Sequence, residues 1–138
     1  MPIKVLLADD TDFVRRAIRR LLEAQSEIEV VGEAANFVET IQMSNDLKPE
    51  VIVMDLHMPD GLKITPLEVK SLLNSGTTRL LAISVWQDDD ADALAESFGA
   101  LTLLDKSDLG NKLIPAILAT PEQLRTQLPE SGDTKRPA

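Results

Sequence analysis

The stretch Val51-Ile52-Val53-Met54-Asp55 decides the fold, because four consecutive apolar residues run directly into a carboxylate. A short, unbroken run of this kind is typical of a strand that is buried on both faces of a parallel sheet. Asp55 would then lie at the carboxyl end of that strand, where open α/β sheets bind their ligands. The stretch therefore predicts both a parallel sheet and a ligand site at one of its edges.

Two more apolar runs lead into charged residues in the same way. Ile3–Ala8 precedes the pair Asp9-Asp10, and Leu101–Leu104 is followed two residues later by Lys106. We interpret both runs as strands buried on both faces of the same parallel sheet. Because the carboxyl ends of its strands share one edge, three acids and one lysine are predicted to meet in a single crevice.

Helices and strands alternate along the chain. Further strands are predicted at Ile28–Ala34, an edge strand because glutamates flank it, and at Thr78–Ser84. Helices are predicted from Val14 to Leu22, from Asn36 to Leu47, from Thr65 to Asn74, from Asp89 to Phe98, and from the N-cap Asp108 to Ala119. In the first of these helices, a solvated face is predicted for Arg15, Arg16, Arg19 and Arg20. This alternation predicts an α/β protein, a single domain with a doubly wound five-stranded parallel sheet of flavodoxin-like order 2-1-3-4-5.

Length and composition narrow the class of protein. The 138 residues fit one domain over 1–120, followed by a polar tail or truncated linker over 121–138. A capping box over Thr120-Pro121-Glu122-Gln123 is expected to begin one short helix, and disorder is expected from Pro129. A net charge of -9 argues against direct nucleic-acid binding, and zero cysteines exclude disulfides and thiolate metal sites. No apolar segment approaches the roughly 20 residues of a membrane span, so a cytoplasmic protein is expected.

Taken in order, these residues give the chain a resemblance to response-regulator receiver domains of two-component systems over about Ile3 to Ala119. The motifs that carry the resemblance are Asp9-Asp10, Asp55 within Val53–Gly61, Ser84 and Lys106. Val30–Ala34 and Gly99-Ala100 resemble the branch of receivers that usually precedes a helix-turn-helix domain. The resemblance implies the receiver fold and a signalling switch whose own phosphotransfer and autodephosphorylation are its only reactions.

The resemblance also implies roles for individual residues. Asp55 would accept a phosphoryl group from a sensor histidine kinase or a phosphotransfer protein. Mg²⁺ or Mn²⁺ would be bound by Asp10, Asp55 and the backbone carbonyl of His57, and by Asp9 through a water. Lys106 and Ser84 would contact phosphoryl oxygens. The surface of helix 4, strand 5 and helix 5 would then control a partner, an attached output domain or a homodimer.

Four positions bear on how such a switch would work. Leu103 stands where most receivers have Tyr or Phe, so the usual aromatic readout of activation is in doubt. Ser107 stands where many receivers have a cis proline, and a trans bond is expected there. His57, two positions beyond Asp55, is a candidate for tuning the dephosphorylation rate. Trp86, two positions beyond Ser84, is either a partly exposed anchor for partners or an ordinary packing residue.

Other interpretations of the same residues remain open. The acids Asp9 and Asp10 also suit the start of a helix, whose dipole favours negative charge. Asp10 and Asp12 fit the Asp-x-Asp-x-Val signature of haloacid-dehalogenase phosphatases, although that family needs its lysine before a later acidic pair and would leave Asp55 without a role. Finally, Leu103 is compatible with a degenerate receiver that binds partners without phosphorylation.

Overall fold

The computed structural model describes residues 1–73, 76–120 and 122–124. The strands are β1 (Ile3–Ala8), β2 (Ile28–Ala34), β3 (Val51–Asp55), β4 (Arg79–Ser84) and β5 (Thr102–Asp105). The helices are α1 (Asp12–Glu23), α2 (Phe37–Leu47), α3 (Pro66–Ser71), α4 (Asp89–Ser97) and α5 (Leu109–Leu118). The predicted alternation is confirmed, and the disorder predicted from Pro129 lies outside the described residues.

The sheet has the predicted order, β2-β1-β3-β4-β5, and all of its neighbouring strands are parallel. In register, Ala8 is opposite Met54, Asp55 is opposite Ile83, and Ser84 is opposite Asp105. Strands β1, β3, β4 and β5 thus end almost level with one another. The residues that follow them are brought to one edge of the sheet, as the sequence predicted.

Side chains of the central strands alternate between two apolar layers. Val5, Leu7, Val53 and Ile83 pack against α1 and α5, whereas Leu6, Ile52, Met54 and Leu80 pack against α2, α3 and α4. Strands β1 and β3 run through the buried interior, because helices cover both of their faces. The expectation that the fifth strand is equally buried was wrong: all four residues of β5 are only half-buried, because it forms the edge of the sheet.

Local signals placed several helix ends correctly. The Asn36 side chain accepts the backbone N–H of Glu39 at 2.8 Å and begins α2. Thr120 and Gln123 form the reciprocal capping box that the sequence predicted, at 2.8 and 3.1 Å. After α4, Gly99 has a φ of +84°, a conformation that favours glycine. The bond before Ser107 is trans, as expected.

One predicted helix end was wrong, and one correctly placed N-cap lacks its hydrogen bond. Helix α3 stops at Ser71 rather than at Asn74, because the N–H of Leu72 bonds to the carbonyl of Val69 and tightens the last turn. Asp108 occupies the N-cap position of α5 but makes no capping hydrogen bond; its carboxylate accepts the side-chain amide of Asn111 instead. A 3-10 turn over Lys106–Asp108 leads into α5, so Asp108 lacks the extended backbone of most N-caps.

Within the described ranges, every helix is too short or too polar to cross a lipid bilayer.

Candidate functional site

The three predicted acids and the predicted lysine lie together at the carboxyl edge of the sheet. Carboxylate oxygens of Asp9, Asp10 and Asp55 are within 4.8 Å of one another. Asp9 and Asp55 are buried, at 1% and 5% exposure, while Asp10 is exposed. The Nζ atom of Lys106 lies 2.7 Å from Oδ2 of Asp9 and 3.0 Å from Oδ2 of Asp55. Lys106 therefore bridges two buried carboxylates from different strands.

Backbone groups fix how the two buried carboxylates are oriented. Oδ1 of Asp55 accepts the N–H of His57 at 3.1 Å, and Oδ1 of Asp9 accepts the N–H of Thr11 at 2.9 Å. The Asp9 carboxylate thus accepts a hydrogen bond in the turn before α1 and not within the helix, because Thr11 precedes the first helical residue. The other oxygen of each carboxylate is left to face Lys106.

The donor set of this cluster fits a divalent cation. Oδ2 of Asp9 is buried and accepts no well-aligned hydrogen bond. Among the described residues, only its ion pair with Lys106 offsets the cost of burying this charged oxygen. One lysine faces three carboxylates, and each pair of carboxylates about 4 Å apart repels by roughly 4 kcal/mol at an effective dielectric constant near 20. Oxygen-only ligands of this kind suit Mg²⁺ or Mn²⁺. Asp9, Asp10 and Asp55 therefore fit a site for such an ion.

Burial and charge shift two pKa values in the cluster. The pKa of Asp55 is raised, mainly because burial penalises its charged form, and the His57 N–H and Lys106 only partly oppose this. Burial lowers the pKa of Lys106, but its ion pair with Asp9 and its hydrogen bond and ion pair with Asp55 outweigh burial and raise that pKa overall. Lys106 is therefore charged at neutral pH, and the ionised form of Asp55 destabilises the metal-free fold.

The raised pKa of Asp55 predicts a pH dependence of stability. The pKa of Asp55 is higher in the folded state than in the unfolded state. Its contribution to the free energy of unfolding is therefore most favourable below its ordinary pKa and is lost as the pH rises through the folded pKa. Asp55→Asn does not titrate, so its free energy of unfolding relative to the wild type is expected to rise as the pH increases from below the ordinary aspartate pKa to neutrality. Urea unfolding in EDTA measures this difference, and a constant or falling difference would contradict it.

Ser84 and Trp86 connect the loop after β4 to the loop after β3. Ser84 is fully buried, and its Oγ accepts the N–H of Trp86 at 2.9 Å, which leaves the hydroxyl hydrogen free to bond elsewhere. The ring of Trp86 meets that of His57 edge-on, with centroids 4.8 Å apart. Both rings are exposed. They join the two loops that follow Asp55 and Ser84.

Leu103 lies on β5, opposite Ala82 of β4. It is half-buried and packs on the layer formed with α2, α3 and α4. An apolar side chain at this position offers no hydroxyl for a hydrogen-bonded readout, as the sequence indicated.

Sequence reasoning missed two residues that support the site. The carboxylate of Asp60 accepts the N–H groups of Phe37 and Val38, at 2.9 and 3.0 Å, and so ties the loop after Asp55 to the start of α2. The prediction that Arg15 belongs to a solvated face was wrong: only 13% of its side chain is exposed, and its Nη1 donates to the carbonyl of Asp9 at 2.6 Å. Neither contact has a local sequence signal, because each depends on how the chain folds back.

Comparison with known proteins gives a consistent result. Residues 5–118 match the family described as the response regulator receiver domain. Protein-glutamate methylesterase/protein-glutamine glutaminase of Methanococcoides burtonii is 45% identical over 91 residues, which cover 57% of this chain and 26% of that protein. Transcriptional regulatory protein LiaR of Bacillus subtilis is 35% identical over 119 residues, which cover 85% of this chain and 55% of that protein. The chain thus spans about a quarter to a half of these relatives.

Solved structures share the fold. A two-component response regulator of the LuxR family from Aurantimonas has a TM-score of 0.76 and 27% identity, over 89% of this chain and 87% of that one. The response regulator domain of Thermotoga maritima CheB has a TM-score of 0.72 and 24% identity, over 94% of this chain and 100% of that one.

Proposed function

Because this chain belongs to the response-regulator receiver family, we propose that it is a phosphorylation-controlled switch of two-component signalling whose phosphoacceptor is Asp55. One observation carries the proposal: Lys106 bridges Asp9 and Asp55 beside Asp10, at the edge of the sheet where ligands bind. Asp12, the second acid of the phosphatase alternative, is exposed and pairs with Arg15 at 2.6 Å. That pairing favours the receiver function.

The chemistry follows from the residues at this edge. The Asp55 carboxylate attacks the phosphorus of a phosphohistidine, so that a P–O bond forms while the P–N bond breaks and its electron pair stays on the histidine nitrogen. Asp9, Asp10, Asp55 and the carbonyl of His57 would hold Mg²⁺ or Mn²⁺, which would supply positive charge to offset the negative charge of the transferred group. Lys106 and the Ser84 hydroxyl would bind oxygens of the transferred group.

The partners and output are also part of the proposal. A sensor histidine kinase or phosphotransfer protein in the cytoplasm would supply the phosphoryl group to a receiver over residues 1–120. The response would pass through α4, β5 and α5, by homodimerisation or by control of a partner or of a domain attached through residues 121–138. Relatives described as a methylesterase and as a transcriptional regulator illustrate two outputs.

Incubation with acetyl phosphate and MgCl₂ tests the proposed function. The expected product carries the mass of one added phosphoryl group, which hydroxylamine removes because an aspartyl phosphate is a reactive acyl phosphate. EDTA should prevent the addition. An unmodified mass under conditions in which the protein is folded would instead support the degenerate, phosphorylation-independent receiver.

The edge-on contact of His57 with Trp86 predicts an effect on the lifetime of the phosphorylated form. The two rings join the loops beside Asp55 and Ser84, so we expect them to restrict the access of water to the phosphoryl group. An aromatic pair contributes about 0.5–1.5 kcal/mol, so His57→Ala or Trp86→Ala should speed hydrolysis by about 2- to 10-fold. Decay of the hydroxylamine-labile mass after removal of acetyl phosphate measures the rate.

A matched aromatic serves as the control for that experiment. Phe13 is exposed, at 81%, and lies in the first turn of α1. Phe13→Ala should leave the rate unchanged, and the His57→Ala/Trp86→Ala double variant should resemble either single variant, because both remove the same contact. Strictly additive effects, or an equal effect of Phe13→Ala, would rule out shielding by the pair.

A further inference from the structure

We propose, on the basis of the phosphorylation site proposed above, that Arg15 is a positioning residue that sets the directions of the Asp9 and Asp10 carboxylates by holding the peptide group between them. Three contacts of one guanidinium carry this inference. Nη1 donates to the backbone carbonyl of Asp9 at 2.6 Å, Nε to Oε1 of Glu33 at 2.8 Å, and Nη2 to Oδ1 of Asp12 at 2.6 Å. Arg15 thereby joins the turn after β1 to β2 and to the first turn of α1.

The peptide group that Arg15 contacts connects Asp9 to Asp10 and so affects the direction of both side chains. The carbonyl of Asp9 belongs to the planar unit that runs from the α-carbon of Asp9 to that of Asp10. Fixing that plane therefore restricts both side chains at their origin. On the strand side, the Asp9 N–H bonds to the carbonyl of Ala34 at 3.0 Å, but β1 ends at Ala8 and the sheet ladder does not extend to the next peptide. The hydrogen bond from Arg15 to the Asp9 carbonyl therefore holds a peptide group that the sheet ladder does not reach.

Glu33 makes this arrangement rigid. Its Oε1 accepts from Arg15, and its Oε2 accepts from Nη1 of Arg19 at 2.6 Å. Arg19 pairs in turn with Glu23 on the next turn of α1. With both oxygens occupied, Glu33 holds the planar fork of Arg15 in one orientation, which a lysine ammonium could not adopt.

The charge of Arg15 provides a way to separate positioning from simple electrostatics. A positive charge beside a cation site opposes cation binding, so loss of that charge alone would tighten binding of Mg²⁺. Loss of positioning has the opposite effect, because the two carboxylates no longer converge. The sign of the change in affinity therefore identifies the role.

Calorimetric titration with MgCl₂ on the full chain tests the proposal without any phosphorylation step. Arg15→Ala and Arg15→Lys should each weaken Mg²⁺ binding by about 10-fold, the lower end of the effect seen when a group that orients metal ligands is lost. Arg20→Ala is the matched control, because Arg20 is an exposed arginine of the same helix that contacts neither Glu33 nor the Asp9 carbonyl. It should stay within about twofold of the wild type, as an ordinary surface substitution does.

Different results would contradict the positioning role of Arg15 and the proposed function. Unchanged or tighter binding in folded Arg15→Lys would overturn the positioning role, as would equal weakening in Arg20→Ala. Urea unfolding in EDTA shows which variants are folded. If Arg15→Ala does not fold, Arg15→Lys, which keeps the positive charge, still tests the positioning role. If the wild type bound no Mg²⁺ and accepted no phosphoryl group, the proposed function itself would fail. If it did both and the Arg15 variants matched it, only the positioning role would fail.

Discussion

Asp55→Asn is expected to reduce phosphorylation by acetyl phosphate to background, a loss of at least about 10³-fold, since the amide cannot replace the attacking carboxylate. Asp55 is buried, paired with Lys106 at 3.0 Å and held by the His57 N–H at 3.1 Å, so its carboxylate lies among the groups that are proposed to bind the transferred phosphoryl group. The amide oxygen can still accept the backbone hydrogen bond, so the variant is expected to fold. Intact mass after incubation with acetyl phosphate and MgCl₂ measures the loss.

Asp12→Asn is the matched control for this variant. Asp12 also lies close to the acidic pair in sequence, but it is exposed and paired with Arg15. One phosphoryl group should still be added to Asp12→Asn. Loss of phosphorylation in Asp12→Asn, with retention in Asp55→Asn, would instead support the haloacid-dehalogenase interpretation.

The second large effect is expected at Lys106. Lys106→Met should lower the free energy of unfolding of the metal-free protein at pH 7 by about 3 kcal/mol, because it leaves two buried carboxylates without their shared partner. The pKa of Lys106 is raised in the fold, so its contribution is complete below the ordinary lysine pKa and is lost only as pH rises through the folded value. The difference from wild type should therefore be constant between pH 7 and 9 in urea unfolding.

Lys63→Met controls for the removal of a lysine charge, because Lys63 is exposed on the loop after β3. Its stability should stay within about 0.5 kcal/mol of the wild type. Added MgCl₂ should restore part of the stability of Lys106→Met, since a cation also neutralises Asp9 and Asp55. Equal stability of Lys106→Met and the wild type in EDTA would contradict the bridging role of Lys106.

The sequence predicted those parts of the fold that depend on local patterns. The run Val51–Met54 has no polar alternation because helices cover both faces of β3, and this made the strand recognisable. The crevice was predictable for the same reason, because parallel strands bring Asp9, Asp55 and Lys106 to one edge however far apart they are in the chain.

The contacts that orient the site were not predictable from local patterns. Arg15 belongs to the polar face of α1 by its spacing, but its side chain is largely buried and pairs with Glu33, 18 residues away. Asp60 caps α2 across 23 residues, so a helix-capping pattern in the sequence does not include it. The end of α3 depends on Leu72, whose burial follows from packing against the sheet.

Borohydride reduction of the phosphorylated protein, followed by peptide mass spectrometry, tests the central claim most directly, because it converts an aspartyl phosphate into homoserine at its own position. A clustered set of acids around one lysine predicts homoserine at residue 55, formed only when Mg²⁺ or Mn²⁺ is present. Homoserine at residue 9, 10 or 12 instead, or its formation at residue 55 without a divalent ion, would contradict the proposed site.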